Sequence, residues 1–284
     1  MLITSRFAPS PTGRLHLGHA YSAVRAHDLA RANGGRFLLR IEDIDGTRSR
    51  EAFVSGIEED LRWLGLAWDG PVVRQSGRMA LYAGALDRLK AMELAYPCFC
   101  TRAEIAASAS AQHGDEGPVY PGTCRPLSGA ERATRMHRPH CWRLDMRKAL
   151  ARVGTLHWHD QRAGRIEADP ARAGDVVLAR KETPTSYHLA VTVDDAAQDV
   201  TDVVRGIDLF EATHIHRLLQ ALLGLPTPAY HHHPLLVGPD GQRLAKRDGA
   251  RSLAELRAEG ADPAHLLAAL RAGQLPIGVA AAEA

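Results

Sequence analysis

The sequence predicts an α/β protein organised on a parallel sheet, and two observations carry that expectation. Residues 1–42 hold an apolar lead (Met1-Leu2-Ile3), a turn rich in proline and glycine, a helical pattern opening at Leu17, and the strand-like run Arg36-Phe37-Leu38-Leu39-Arg40-Ile41-Glu42. Strand, helix and strand in that order form a βαβ unit, which requires parallel pairing and a right-handed crossover. Further along, apolar residues return at helical spacing on either side of a long irregular stretch, as two halves of one sheet with an insertion between them.

In the opening turn, Pro9 and Pro11 fix φ and keep either regular element from running through, while Gly13 and Gly18 remove Cβ where a ligand can touch backbone. The helix over 18–33 stops at Asn33-Gly34-Gly35. The strand over 36–42 ends at Glu42, close to Asp43 and Asp45, and ligands of parallel sheets bind outside such carboxyl ends. Phe53, Ile57, Leu61 and Leu64 predict a core-facing helix, and another is expected over 79–93. From Tyr96 to Thr183 periodicity weakens and turn residues are frequent, so this stretch reads as the insertion. Ser186-Tyr187-His188-Leu189-Ala190-Val191-Thr192-Val193-Asp194-Asp195 predicts a strand with an acidic end. Ile215, Leu218, Leu219 and Leu222 mark a helix closed by Gly224 and Pro226. His231-His232-His233 reads as a strand end or loop, with a metal tract as the rival. Ser252 with Glu255 forms a capping box, and Asp262-Pro263 opens a last helix. The expected division is 1–95 and 186–225 for the two halves of the sheet domain, 96–185 for the insertion, and 226–284 for a loop and helical region.

The chain has 284 residues, a formal net charge of +2 and 24% charged residues, as in an ordinary soluble globular protein. No apolar run approaches the ~18 residues of a membrane span, and the N-terminus lacks the marks of a signal peptide, so the cytoplasm is the expected location and a monomer the expected state. Between Pro121 and Arg152, Arg125, Arg132, Arg135, Arg138, Arg143, Arg147, Lys148 and Arg152 face only Glu131 and Asp145. Such a patch attracts RNA phosphates, or is simply a solvated arginine-rich face. Cys98, Cys100 and Cys124 lie close in sequence, with Cys141 beyond; in a chain this long that points to metal or a reduced compartment. Three thiolates and one more ligand close a tetrahedral structural zinc site; the alternative is cysteines packed as small hydrophobes.

The turn delivers a phosphate to a helix N-terminus, where unpaired N–H groups and the dipole favour negative charge, and His16 and His19 lie one turn apart on that helix start. The stretch Phe7-Ala8-Pro9-Ser10-Pro11-Thr12-Gly13-Arg14-Leu15-His16-Leu17-Gly18-His19 resembles the first ATP-binding motif of the class I glutamyl-tRNA synthetase family. Gly238-Pro239-Asp240-Gly241-Gln242-Arg243-Leu244-Ala245-Lys246-Arg247-Asp248-Gly249-Ala250 resembles its second motif, a mobile lysine loop. The resemblance runs from Ser5 to Ser252 and implies a class I aminoacyl-tRNA synthetase, with a Rossmann-type parallel sheet, a zinc-bearing insertion and a short helical C-terminal region. It implies ATP with Mg2+ as substrate, His16, His19 and Lys246 as catalytic residues, and Pro9, Gly18, Arg243 and Lys246 at the nucleotide. For L-glutamate it implies Arg6, Phe7, Ala8, Pro9, Ser10, Glu42, Tyr187 and Arg205. The chemistry agrees: a diacid needs cations, arginine forks bind carboxylates at two points, and a carboxylate suits the α-ammonium group. Which arginine takes which carboxylate stays open. For structural Zn2+ the resemblance implies Cys98, Cys100, Tyr120 and Cys124, with His113 and Cys141 as generic rivals for the fourth place. The lysine loop departs from the family pattern, since Arg243 and Ala245 stand where lysine and serine are usual, and slower activation is expected.

Only some thirty residues follow the resemblance, so the expectation is a catalytic core without an anticodon-binding domain. That architecture resembles the branch of the family that glutamylates queuosine at the wobble position of tRNA(Asp). The alternatives are a minimal glutamyl-tRNA synthetase charging the 3′ end of tRNA(Glu), and a non-catalytic paralogue that binds tRNA or amino acids.

Overall fold

The computed structural model of the chain describes residues 2–108, 119–237, 251–273 and 280–281. Strand β1 (Thr4–Phe7) enters the proline turn, α1 (Leu17–Ala32) follows, and β2 (Arg36–Ile41) returns parallel to β1 with Thr4 opposite Arg36. Helix α1 buries Ala20, Ala23, Ala26 and Ala30, small side chains that let it lie close against the sheet. Between α1 and β2 a Cβ on Gly35 would sit 2.0 Å from the Ile3 carbonyl oxygen, so only glycine allows the return. Helix α2 (Glu51–Trp63) buries Val54, Ile57 and Leu61 in the same core, and β3 (Val73–Arg74) adds a third parallel strand beside β2.

After α3 (Met79–Ala91) come β4 (Ala95–Cys98), α4 (Arg102–Ser108), α5 (Gly129–Arg135), β5 (Cys141–Leu144), α6 (Met146–Arg152), β6 (His157–Asp160), β7 (Gly164–Glu167) and β8 (Val177–Ala179). Strands β4, β5 and β8 form an antiparallel sheet in which Cys98 lies opposite Cys141.

Helix α7 (Tyr187–Ala197) is a correction to the strand expected at 186–195. Its β-branched residues suggest an extended chain. The helix, however, is buried on nearly every side: Leu189, Ala190 and Val193 join the core of α3 and α6, while Asp194 and Asp195 are buried against arginines. With no solvent face there is no amphipathic period to read. Ser186 caps it, its hydroxyl accepting from the Leu189 N–H.

Strand β9 (Asp202–Gly206), α8 (Ala212–Leu223) and β10 (Ala229–His233) form a second parallel unit, with Gly224 in the left-handed conformation closing α8. The hairpin β6–β7, from within the span 96–185, joins this sheet through β10, giving the order β7-β6-β10-β9. On its other side β9 meets β1: the Thr201 N–H donates to the Thr4 carbonyl at 2.9 Å and the Thr4 N–H to Thr201 Oγ1 at 2.8 Å. Strand order therefore runs outward in opposite directions from β1 and β9, and the switch point lies between them. Strand β11 (Leu236–Val237), α9 (Leu253–Ala258), α10 (Pro263–Ala272) and β12 (Ala280–Ala281) complete the described chain. The Ser252–Glu255 capping box and the Asp262 N-cap form as their sequences predict. Among the described residues no helix is long and apolar enough to cross a membrane.

Replacing Gly35 by alanine drives a methyl into the Ile3 carbonyl and is expected to cost about 2 kcal/mol or more, read from the urea midpoint of the purified protein.

Candidate active site

The opening turn is pinned across the sheet: the Pro9 carbonyl accepts from the Glu42 N–H at 3.0 Å, and the Pro11 carbonyl from the Arg50 N–H at 3.1 Å. His16 is the N-cap of α1; its Nδ1 accepts from the Gly18 N–H at 3.1 Å, and His19 Nδ1 accepts from the His16 N–H at 3.2 Å. A ring nitrogen that accepts a backbone N–H carries no proton, so both neutral rings bear theirs on Nε2. The turn thus presents two Nε2–H donors, on rings whose centroids are 3.9 Å apart. Gly18 makes room for this cap, since a Cβ there would lie 3.0 Å from His16 Cε1.

Arg243 and Lys246, with the rest of 238–250, lie outside the described residues, as does His113. The chain that follows the lysine loop is attached to the histidine turn: His16 and Ser252 form an antiparallel bridge, and the Leu253 N–H donates to the Leu15 carbonyl at 2.8 Å.

At the switch point the structure brings together Arg6 of β1, Glu42 after β2, Tyr187 at the start of α7 and Arg205 of β9, with both guanidiniums and Glu42 within electrostatic reach of the Tyr187 phenol. Phe7 and Pro9 are buried, Ala8 is half-buried and Ser10 exposed at the mouth of the turn. Arg6 Nε donates to Asp195 Oδ1 at 2.9 Å, and Arg40 Nη1 donates to the same oxygen at 2.7 Å. Arg40, fully buried, also reaches Glu42 at 3.2 Å and Asp194 at 3.9 Å. Asp194 accepts from Gln75 at 2.8 Å, Arg78 at 2.6 Å and Tyr82 at 2.7 Å. Burial pushes Asp195 up, but Arg6 and Arg40 outweigh it and hold the carboxyl below its ordinary range. For Glu42 burial wins over Arg40 and Arg6, and its carboxyl is raised.

Arg205 sits in a different environment. Nε donates to His232 Nε2 at 3.1 Å, Nη1 to Tyr187 Oη and His216 Nδ1 at 3.3 Å each, and Nη2 to the Leu209 carbonyl at 3.0 Å and Thr213 Oγ1 at 2.6 Å. Arginine only donates, so both imidazoles accept, which leaves His232 Nδ1–H for Asp160 at 2.8 Å and His216 Nε2–H for His188 Nδ1 at 3.2 Å. Burial, then Arg205, pushes His188 and His232 down to about 4 and His216 well below its ordinary value.

In the antiparallel sheet region, the sulfurs of Cys98, Cys100 and Cys124 all lie within 4.8 Å of one another, and the Tyr120 hydroxyl is 3.8 Å from Cys100 Sγ. Ligand atoms around tetrahedral zinc stand about 3.8 Å apart, so this donor set fits the ion. The Cys141 hydrogen bond, opposed by burial and aided by Tyr120 and Arg143, pulls the Cys98 thiol down, whereas burial pushes Cys100 up to about 11. Arg143 lies 3.9 Å over the Tyr120 ring and holds it in place.

Of the expected basic patch, Arg143 is buried, Arg125 pairs with Asp175 and Arg132 donates to the Arg125 carbonyl, while Arg138, Arg147, Lys148 and Arg152 are exposed. The histidine run is the end of β10, and its side chains go three ways: His231 to Asp202, His232 to Arg205 and Asp160, His233 to Ser22. The sequence reading missed Arg40, Asp194 and Asp195 as supports for Arg6, and His188, His216 and His232 around Arg205. An arginine inside the apolar strand Phe37-Leu38-Leu39-Arg40-Ile41 was the available signal for the first group.

The family described as tRNA synthetases class I (E and Q), catalytic domain, matches residues 2–279, and the chain belongs to it. Within that family it is similar to the Glutamyl-Q tRNA(Asp) synthetase of Rhodobacter capsulatus, 53% identical over 92% of this chain and 97% of that one. The Glutamyl-Q tRNA(Asp) synthetase of Nocardia farcinica is 49% identical over 93% of this chain and 82% of that one. The crystal structure of a glutamate tRNA ligase from Elizabethkingia meningosepticum in complex with its amino acid superposes with a TM-score of 0.74 at 29% identity. That match covers 88% of this chain and 53% of the ligase, so the chain spans about half the ligase's length.

His188 and His232 titrate near 6.5 when unfolded and at about 4 when folded. Between those values the unfolded chain binds protons that the folded one refuses, so stability is full above pH 6.5 and falls as pH drops towards 4. Asp60, pushed up to about 6 by burial, and Glu42, also raised by burial, act in the opposite sense, but His188, His216 and His232 outnumber them. Urea midpoints measured across this window are expected to decline steadily on the acid side.

Proposed function

We propose that this protein activates L-glutamate with ATP and Mg2+ and transfers the glutamyl group to queuosine at the wobble position of tRNA(Asp), as a monomer in the cytoplasm. An oxygen of the glutamate α-carboxylate bonds to the α-phosphorus of ATP as the bond to pyrophosphate breaks. A cyclopentene hydroxyl of queuosine then attacks the carbonyl of the adenylate, and AMP leaves, its phosphate taking the hydroxyl proton. Neither step needs a side-chain nucleophile; positioning and charge stabilisation do the catalysis.

In this reading the Nε2–H groups of His16 and His19 donate to phosphate oxygens at the start of α1, with Pro9 and Gly18 leaving the backbone open to the nucleotide. Arg243 and Lys246 neutralise the departing pyrophosphate. Lys246 precedes Ser252 by six residues, and six residues span at most ~22 Å, so the chain attached to His16 keeps the lysine in range. Arg6 and Arg205 serve the two carboxylates, Tyr187 adds a hydroxyl donor, and residues 7–10 line the amino acid with backbone. Glu42, whose carboxyl burial raises, gains in the substrate's α-ammonium the counter-charge that favours its ionised form. The observation that carries the reading is the convergence of Arg6, Glu42, Tyr187 and Arg205 at the switch point, at the strand ends from which the histidine turn departs. The choice of queuosine and tRNA(Asp) is supported by the names of the relatives at 53% and 49% identity.

Cys98, Cys100, Cys124 and Tyr120 hold a structural Zn2+ that ties the end of β4 to the turn before α5. Supplied with labelled glutamate, ATP and a mixture of queuosine-bearing tRNA(Asp) and tRNA(Glu), the protein is expected to yield, after nuclease digestion, label on queuosine; label on the 3′-terminal adenosine of tRNA(Glu) instead would overturn the tRNA assignment. Cys124→Ser is expected to abolish stoichiometric zinc in atomic emission spectrometry, while Cys141→Ser retains it.

A further inference from the structure

The two arginines of the cradle differ in how their charge is balanced. Arg6 shares a carboxylate oxygen of Asp195 with Arg40, so part of its charge is already balanced. Arg205 has five N–H donors, and all five meet neutral acceptors: two imidazoles, a phenol, a threonine hydroxyl and a backbone carbonyl. Arg205 is 6% exposed and His216 2%, so water does little to screen this charge. A buried cation satisfied in hydrogen bonding yet unpaired in charge is costly unless an anion arrives from outside.

The hydrogen-bond direction around it is determined by chemistry. Asp160 accepts from His232 Nδ1–H, which makes His232 Nε2 an acceptor aimed at Arg205 Nε. On the far side His216 accepts at Nδ1 and passes its own proton on to His188. Burial first, and then the neighbouring guanidinium, disfavour a second cation here, and both imidazoles are held in the neutral form. Tyr187 Oη accepts from Arg205 and so keeps its own O–H free to donate to an incoming oxygen. The Nη1 edge, whose two contacts are the longest at 3.3 Å, is the one a carboxylate displaces with least loss.

We propose that His216 and His232 are positioning residues that hold Arg205 as an uncompensated cation, and that this arrangement sets the preference for a side-chain carboxylate over a carboxamide in the amino acid. The inference rests on the glutamate-activating function proposed above and deepens it. A neutral carboxamide leaves the buried charge unbalanced and offers an N–H where only acceptors fit, a mismatch of the kind that gives large discrimination. The same frame explains why neutral imidazoles, not aspartates, surround this arginine: a resident carboxylate would take the place of the substrate's.

The test is amino-acid-dependent exchange of pyrophosphate into ATP, run with glutamate and with glutamine on wild type, His216→Glu and His216→Asn. Asn places a neutral acceptor near the position of Nδ1, whereas Glu supplies a resident anion. For His216→Glu the glutamate-to-glutamine ratio of kcat/KM is expected to fall about tenfold or more, with KM for ATP unchanged. For His216→Asn the ratio is expected to stay within about threefold of wild type. If His216→Glu gives no cooperative thermal transition, His216→Ala is read instead, with KM for glutamate expected to rise about tenfold at constant KM for ATP. A folded His216→Glu with the wild-type ratio, or a His216→Ala whose glutamate KM does not move, overturns the proposal. Wild type that exchanges with neither amino acid overturns the function proposed above and this inference with it, whereas intact wild-type selectivity with indifferent variants overturns this inference alone.

Discussion

One carboxylate oxygen, Asp195 Oδ1, accepts from Arg6 and Arg40 at once, and the site is assembled around that shared contact. Arg40 is fully buried on β2; without the carboxylates from α7 it would keep only Glu42 as a counter-charge in the core, a loss of several kcal/mol. The series Arg78, Asp194, Arg40, Asp195, Arg6 alternates in sign from the turn before α3 to the end of β1. Through it, α7 is locked to the first half of the sheet by charge as it is locked to α3 and α6 by packing. The position of Tyr187, at the N-terminus of the same helix, follows from both.

That series and the imidazole frame of Arg205 are two solutions to one problem. A cation that must be buried to exclude water also needs partners for its N–H groups. Arg6 is partnered by charge, which fixes it rigidly and moderates its field. Arg205 is partnered by dipoles, which leaves the field intact. In the function proposed above, a substrate with two carboxylates and one ammonium group would draw on both kinds, with Glu42 as the complementary acid.

Distant segments meet at the histidine turn for a similarly local reason. His16 caps its own helix, and its backbone bridges to Ser252, itself the cap of α9. Two helix starts, each needing its orphan N–H groups satisfied, are thereby joined by main-chain pairing, so the segment that follows residues 238–250 is anchored at the N-terminus of α1. The cysteine cluster is self-contained: β-sheet pairing brings Cys98 opposite Cys141, and the turn from Tyr120 to Cys124 folds back over it.

Local rules sufficed for much of the chain. The helix starts at Ser252 and Asp262, the αL stop at Gly224 and the paired histidines all depend on residues within a few positions of one another, the βαβ unit of 1–42 on three consecutive elements, and they stand in the structure as the sequence determines. Helix α7, the charge series through Arg40 and the three histidines around Arg205 were decided by tertiary structure alone. A helix buried on all sides shows no period, and a buried charge declares its partner only when strands and helices far apart in sequence are packed together, because in water neither group needs the other.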